Sequence, residues 1–280
     1  MANSRIIRNR IKSVKNTGKI TKTMAMVATA KATKAVGHIR NSRPYAEKIL
    51  KVLESLAGDP SAHPLLAARP AAARQLVLVV SANRGLCGGY NSNVIRLALA
   101  DRKASTDFIV FGKKGHAAFK HLKVPVKKAV VLLQDVPSFA SIQETADQVM
   151  DGFARGEYAS VKVVYTRYFS AGRQKAVVED LLPLHVAAAE GAASVAEPLF
   201  IPDKQALISN LVPRAVRMTL FRFFLDAAAS EQLARQMAMS SASDNALDMV
   251  KHLTLSYNRA RQAQITTEIS EIVGGAEALN

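Results

Sequence analysis

The chain has 280 residues, with 38 Lys and Arg against 22 Asp and Glu and a single cysteine, Cys87. Its 49% hydrophobic and 21% charged residues exclude wholesale disorder, and one cysteine excludes an internal disulfide or a cysteine-built zinc site, in keeping with a reducing compartment. No apolar run approaches the ~18–20 residues of a membrane-spanning helix, and a net charge of +16 calls for a polyanionic, acidic or membrane-surface partner.

The charge is concentrated. Residues 1–56 carry 13 basic and 2 acidic side chains, a net of +11, and no acid precedes Glu47. Residues 57–202 carry 17 and 12, a net of +5, and residues 203–280 carry 8 and 8. The stretches 58–64 and 187–198, punctuated by Pro and Gly and without a period, read as connections.

The N-terminal segment has the basic, acid-poor character of a transit peptide, but its periodicity argues otherwise. Steps of four and three from Ile7 reach Ile11, Val14, Gly18, Thr21, Ala25, Ala28, Ala32, Ala35, Ile39, Ser42, Ala46, Ile49, Leu53 and Leu56, none charged. A heptad stripe sustained for this length predicts a coiled-coil helix over 4–56, about 80 Å long at 1.5 Å per residue. Gly, Thr and Ala in mid-stripe let a partner helix approach closely.

In the middle the period changes. Residues 75–81 and 107–112 are short apolar runs predicted as strands, with a helix over 93–103 between them. Residues 113–122 and 138–153 read as helices, and 161–168 and 176–183 as strands joined in a hairpin through Ser170-Ala-Gly172. Strand–helix alternation predicts a largely parallel sheet with helices on its faces.

The loop Asn83-Arg-Gly-Leu-Cys-Gly-Gly-Tyr-Asn91 lies between a strand and a helix, where phosphate-binding loops sit. Its glycines, 85, 88 and 89, match neither the dinucleotide fingerprint nor the P-loop, and Lys113 and Lys114 follow the second strand where a ribose-binding acid would be needed. A tight turn that uses glycine backbone freedom is the expected role. The histidines 38, 63, 116, 121, 185 and 252 show no metal-ligand spacing, and Cys87 reads as a small buried side chain. The expectation is no catalytic residue, no cofactor and no metal.

At the C-terminus, Met218, Phe221, Leu225 and Ala228, then Met239, Ala242, Ala246, Val250, Leu253, Tyr257, Ala260 and Gln264, again recur at steps of three or four. A second helix is predicted from about 205 to the mid-270s, bent early at Pro213, with Gly274-Gly275 either its end or a loosened turn near its tip. Two long terminal helices most simply pair antiparallel. The predicted organisation is a helix over 1–56, a linker over 57–74, a Rossmann-like α/β domain over 75–186, a linker over 187–202 and a helix over 203–280.

These residues resemble a known family. The segment Ile6-Ile-Arg-Asn-Arg-Ile-Lys-Ser-Val-Lys-Asn-Thr-Gly-Lys-Ile-Thr-Lys-Thr-Met-Ala-Met-Val-Ala28 resembles the N-terminal helix of the gamma subunit of F-type ATP synthases. Residues 83–91 are similar to that family's middle-domain loop. Asp244-Asn-Ala246, Tyr257-Asn258, Arg261-Gln-Ala263 and Ile265-Thr-Thr-Glu-Ile-Ser-Glu-Ile-Val-Gly-Gly-Ala276 are similar to its C-terminal signature.

The resemblance implies an α/β protein with a long antiparallel coiled coil, its terminal helices forming a shaft that carries torque in a proton-translocating complex. It implies three alpha and three beta subunits around the shaft, an epsilon subunit and a c ring at the foot, membrane contact only through that ring, and no nucleic acid. By position, Met24, Arg235, Gln262, Thr266 and Glu268 match contacts to the beta subunit, and Phe200 and Ile201 fall where the foot meets the c ring. Lys15, Lys19 and Lys22 would face acidic partner surfaces, and Arg235 has the simpler option of pairing with Glu231 one turn away.

The chain departs from the family pattern at Asn83, where Asp is usual and a helix-start cap is at stake, at Gln236 in place of Met, and at Ile201 in place of Glu. The absence of paired cysteines in the middle domain argues against the redox-regulated chloroplast type. The missing transit signature points to a bacterial protein peripheral to the cytoplasmic face of the inner membrane.

Two rivals stand beside this reading. A basic coiled-coil nucleic-acid binder would use the +11 helix, although Tyr45 is its one aromatic residue and its basic residues are expected to spread around it. A Rossmann-like dehydrogenase would bind NAD or NADP in the middle domain.

Overall fold

A computed structural model describes residues 2–56, 63–69, 74–103, 105–131, 134–185 and 203–277. Ten elements follow in order: α1 (Ala2–Leu56), β1 (Arg74–Val80), α2 (Tyr90–Ala100), β2 (Thr106–Phe111), α3 (Lys113–His121), β3 (Lys128–Val130), α4 (Phe139–Ala154), β4 (Tyr158–Ser170), β5 (Arg173–Leu182) and α5 (Lys204–Glu277). They form two compact units, one of Met1–Ala28 with Arg235–Asn280 and one of Thr29–Ala234, so each terminal helix contributes to both. No helix among the described residues is long and apolar enough to cross a membrane.

In the first unit, α1 and α5 run antiparallel. Ser4 Oγ donates to Gln264 Oε1 at 3.0 Å, and fourteen residues further on, Ser243 Oγ donates to the Gly18 carbonyl at 3.4 Å. Residue numbers rise on one helix as they fall on the other. None of the fifteen stripe positions from Ile7 to Leu56 is exposed, nor is any of the eight from Met239 to Gln264. Burial therefore follows the 3.5-residue spacing along both helices.

The second unit is built on a five-stranded sheet of order β3-β2-β1-β4-β5, parallel except for β5 against β4. β1 is buried on both faces, as a central strand covered by helices must be. Val77 and Val79 pack with Phe108, Val94 and Ala98 of α2, and Phe119 of α3. Leu76, Leu78 and Val80 face the other way, onto α4 and the parts of α1 and α5 that belong to this unit, through Leu53, Leu56, Val216 and Phe223. Tyr165 stacks on Phe223 at 4.7 Å, and Phe111 meets Phe224 edge-on at 4.7 Å.

The helix starts have local causes. Ser138 Oγ accepts from Ser141 N at the start of α4, and Asp203 Oδ1 accepts from Ala206 N at 2.7 Å at the start of α5. α5 runs through Pro213 and also through Gly274-Gly275 to Glu277, so the two glycines lie within the helix tip and do not end it. A side chain at either glycine would meet nothing within 4 Å, so no packing forces the backbone out of helical geometry there. The three-residue β3 has no counterpart among the predicted elements; its pairing of Ile109 with Lys128 and Phe111 with Val130 defines it.

Candidate partner interface

The glycine loop closes off the position where a Rossmann-like fold would hold a phosphate. The first-turn N–H groups of α3 are all satisfied by the chain itself: Lys113 N donates to Asn83 Oδ1 at 3.2 Å, Lys114 N to the Ala82 carbonyl at 3.0 Å and Gly115 N to Ser81 Oγ at 2.9 Å. Asn83 thus keeps a helix-start role despite the loss of the acid. A Cβ on Gly112, whose φ is +92°, would stand 2.2 Å from the Ser81 carbonyl oxygen. The backbones touch. The cavity at the ends of β1 and β2 holds about 50 Å³, while ligand pockets typically need ~300 Å³ or more.

Within the loop the left-handed backbone falls at Gly88 (φ 56°) and at Leu86 (φ 63°), whereas Gly85 and Gly89 do not use it. Leu86, 63% exposed, holds an apolar side chain in water on a disfavoured backbone. Cys87 is buried beside Tyr90 and accepts from Asn91 Nδ2 at 3.2 Å. Among the described residues no group of three or more His, Cys, Asp or Glu is placed to hold a metal ion.

The residues singled out on the helices separate into three places. Arg235 is buried in α5 at 6% exposure, and Met24 on α1 is half-buried. Gln262, Thr266 and Glu268 are exposed, about 40 Å further along α5 than Arg235 at 1.5 Å per residue. The Thr266 hydroxyl donates to the Gln262 carbonyl at 3.0 Å, so these two share one ridge. Glu268 accepts from Gln264 Nε2 at 2.8 Å and lies on the ridge that begins at the Ser4 contact. Phe200 and Ile201 lie outside the described residues.

Two exposed features go beyond the sequence expectation. Ile265, Ile269 and Ile272 recur at four and three residues along α5, outside the seam, and Ile272 is 72% exposed. On α1, Ile20, Met26 and Val27 are exposed as well. Their spacing is legible in the sequence, but apolar periodicity reads as core until the seam is located. The basic residues also differ from expectation. At ~100° per residue, Arg5, Arg8, Lys12, Lys15, Lys19 and Lys22 fall within about 100° of one another beside the seam, with Arg10 apart. All seven are exposed.

Among the described residues a two-helix antiparallel coiled coil is joined in one chain to a Rossmann-like domain, an architecture of the stalk type. Residues 3–279 match the family model described as ATP synthase. The chain is 39% identical to the ATP synthase gamma chain of Rhodopirellula baltica, with 100% of this chain and 99% of that one aligned, and 42% identical to the gamma chain of Heliobacterium modesticaldum, each over 100% of its length. The fold is shared with a chain of the Euglena gracilis mitochondrial ATP synthase OSCP/F1/c-ring structure in rotational state 3 (TM-score 0.73, 21% identity, 99% of this chain and 95% of that one). It is shared also with one of the Tetrahymena thermophila mitochondrial ATP synthase central stalk/c-ring structure (TM-score 0.59, 25% identity, 80% and 99%). The chain belongs to the ATP synthase gamma-chain family.

Proposed function

We propose that this chain is the central-stalk rotor of a proton-translocating ATP synthase, carrying torque between a membrane c ring and a catalytic ring of three alpha and three beta subunits. The observation that carries the reading is the division of labour on the paired helices. Small and apolar residues are spent inside, across the Gly18–Ala246 seam, while isoleucines and one arc of cations remain exposed outside. Exposed apolar ridges of this kind mark interaction surfaces.

The subunit itself does no bond chemistry on this reading. An asymmetric shaft presents a different face to each beta subunit, and each orientation favours a different nucleotide affinity, which is a population shift imposed in turn on three sites. The basic arc on α1 faces acidic segments of the ring. Screened, water-separated charges give attraction without a fixed lock, which suits a turning contact.

Met24, Gln262, Thr266 and Glu268 serve as beta-subunit contacts from the outer faces, and Arg235, being buried, serves by presenting only its edge to a partner. Phe200 and Ile201 make an apolar contact at the c ring, with the epsilon subunit held at the foot. The bacterial origin of the similar gamma chains supports a place at the cytoplasmic side of a bacterial inner membrane. The test is co-purification: mixed with folded alpha and beta subunits, the chain enters a complex of three, three and one, and failure to do so removes the proposal.

A further inference from the structure

Asp226 on α5 is 7% exposed and lines a cavity of about 370 Å³ together with Arg43 and Glu47 of α1, Arg167 and Tyr168 of β4 and Arg222 one turn earlier on α5. Among the described residues no hydrogen bond or ion pair reaches its carboxylate. The surrounding guanidiniums are occupied elsewhere. Arg43 Nε donates to Glu47 at 2.7 Å, Arg167 Nη1 to Glu179 Oε1 of β5 at 2.9 Å, and Arg222 Nη2 stands 3.9 Å from Glu179 Oε2. The Tyr165 phenol of β4 also faces this group, and burial, with Glu179 and Asp226 nearby, pushes its pKa up, so it stays protonated.

Arg167 and Arg222 thus contact Glu179 while Asp226, buried beside the same two guanidiniums, feels their charge without a direct contact. Burial disfavours the charged form of Asp226 and pushes its pKa up to about 6; Arg222 and Arg167 pull it down and Glu179 pushes it further up. Glu179, held by both arginines, is the stronger claimant in the arrangement seen.

We propose that Asp226 and Glu179 compete for Arg222, making Asp226 a proton-operated clasp on the β4–β5 hairpin. With Asp226 neutral, Arg222 reaches across to Glu179 and ties β5 to α5. When Asp226 releases its proton to water in the cavity, its carboxylate, four residues along the same helix face, draws the Arg222 guanidinium to itself. Glu179 then keeps Arg167 alone, and β5 loses its ion pair to α5 while the apolar packing of the hairpin on that helix remains. The clasp closes as the pH falls and opens as it rises. It involves only residues of the α/β unit and holds whether or not the chain turns in a ring.

Hydrogen exchange on the full-length chain tests it, with β4 and β5 amides followed at pH 5 and pH 8 after correction for the intrinsic pH dependence of exchange. Protection of residues 173–182 should be about tenfold lower at pH 8, with a ceiling of about a hundredfold set by a rise from 3.8 to about 6. Asp226→Asn should hold the pH 5 pattern at both values. Equal protection of the wild-type hairpin at the two pH values, or an unchanged pH response in Asp226→Asn, overturns the proposal. If Asp226→Asn does not fold, Glu179→Gln decides. Without the competing carboxylate Arg222 is free for Asp226, so the titration midpoint of Asp226, followed through its side-chain carboxyl carbon by NMR, should fall to lower pH, and a midpoint left in place overturns it.

Discussion

Gly18 and Ala246 meet across the α1–α5 seam with no room between them: a Cβ on Gly18 would stand 3.2 Å from the Ala246 Cβ. The Ser243 hydroxyl bonds the Gly18 carbonyl at the same level, so this close approach fixes the register. Gly18→Leu would drive the helices apart and should lower stability by about 1–3 kcal/mol, read by urea unfolding. Gly18→Ala needs the neighbour to yield by only a few tenths of an ångström, and the gain of ~1 kcal/mol in helix propensity should roughly offset that strain.

Gly112 offers a harsher test in the α/β unit. Its φ of +92°, and the 2.2 Å that would separate a Cβ at this position from the Ser81 carbonyl oxygen, leave no accommodation for any side chain. Gly112→Ala should cost several kcal/mol and abolish the cooperative unfolding transition of this unit. Ser81→Ala is milder. It removes the acceptor for Gly115 N and the 2.6 Å bond to the Phe111 carbonyl, and should cost about 1–3 kcal/mol in thermal unfolding.

Asp226 gives a pH signature in global stability. Its pKa in the folded chain, about 6, lies above the ordinary 3.8, so the proton favours the folded state. That contribution is complete below pH 3.8 and is lost as the pH rises through about 6. Asp226→Asn should therefore raise stability by about 1–2 kcal/mol at pH 8 and leave it nearly unchanged at pH 4, as read by denaturant midpoints at the two values.

The outer isoleucines separate folding from assembly. Ile265→Asp and Ile269→Asp change residues that are 46% and 56% exposed, so the stability of the isolated subunit should change by no more than about 0.5 kcal/mol. Association with alpha and beta subunits should weaken at least tenfold in a pull-down titration. Equal binding by the variants would mean that this ridge does not touch the ring.

The stripes from Ile7 to Leu56 and from Met239 to Gln264 were legible because a heptad seam needs only spacing and side-chain size. The sheet was legible apart from β3, whose three residues carry too little pattern and exist by pairing with β2. The hairpin strands ran longer than their apolar cores because β4 and β5 support one another from Val161–Leu182 to Ser170–Arg173. Gly85 and Gly89 looked like conformational necessities, yet the positive φ values fall on Leu86 and Gly88, since the loop's path is set by Cys87 and Tyr90 packing inward. Arg235 read as a surface contact and is buried, because α5 is enclosed nearly all round from Phe223 to Arg235. Asp226 carried no signal at all. Its neighbours Arg167, Glu179 and Arg43 come from three other elements, and only the folded chain brings them together.

On the function proposed above, the paired helices turn as a rotor. ATP-driven rotation of a bead fixed to this chain, in a complex with three alpha and three beta subunits held on a surface, measures that turning. The expected result is sustained one-way rotation in three steps per turn, slowed or lost in Gly18→Leu. ATP hydrolysis by the complex with no rotation of the labelled chain, or rotation undisturbed by Gly18→Leu, would contradict it.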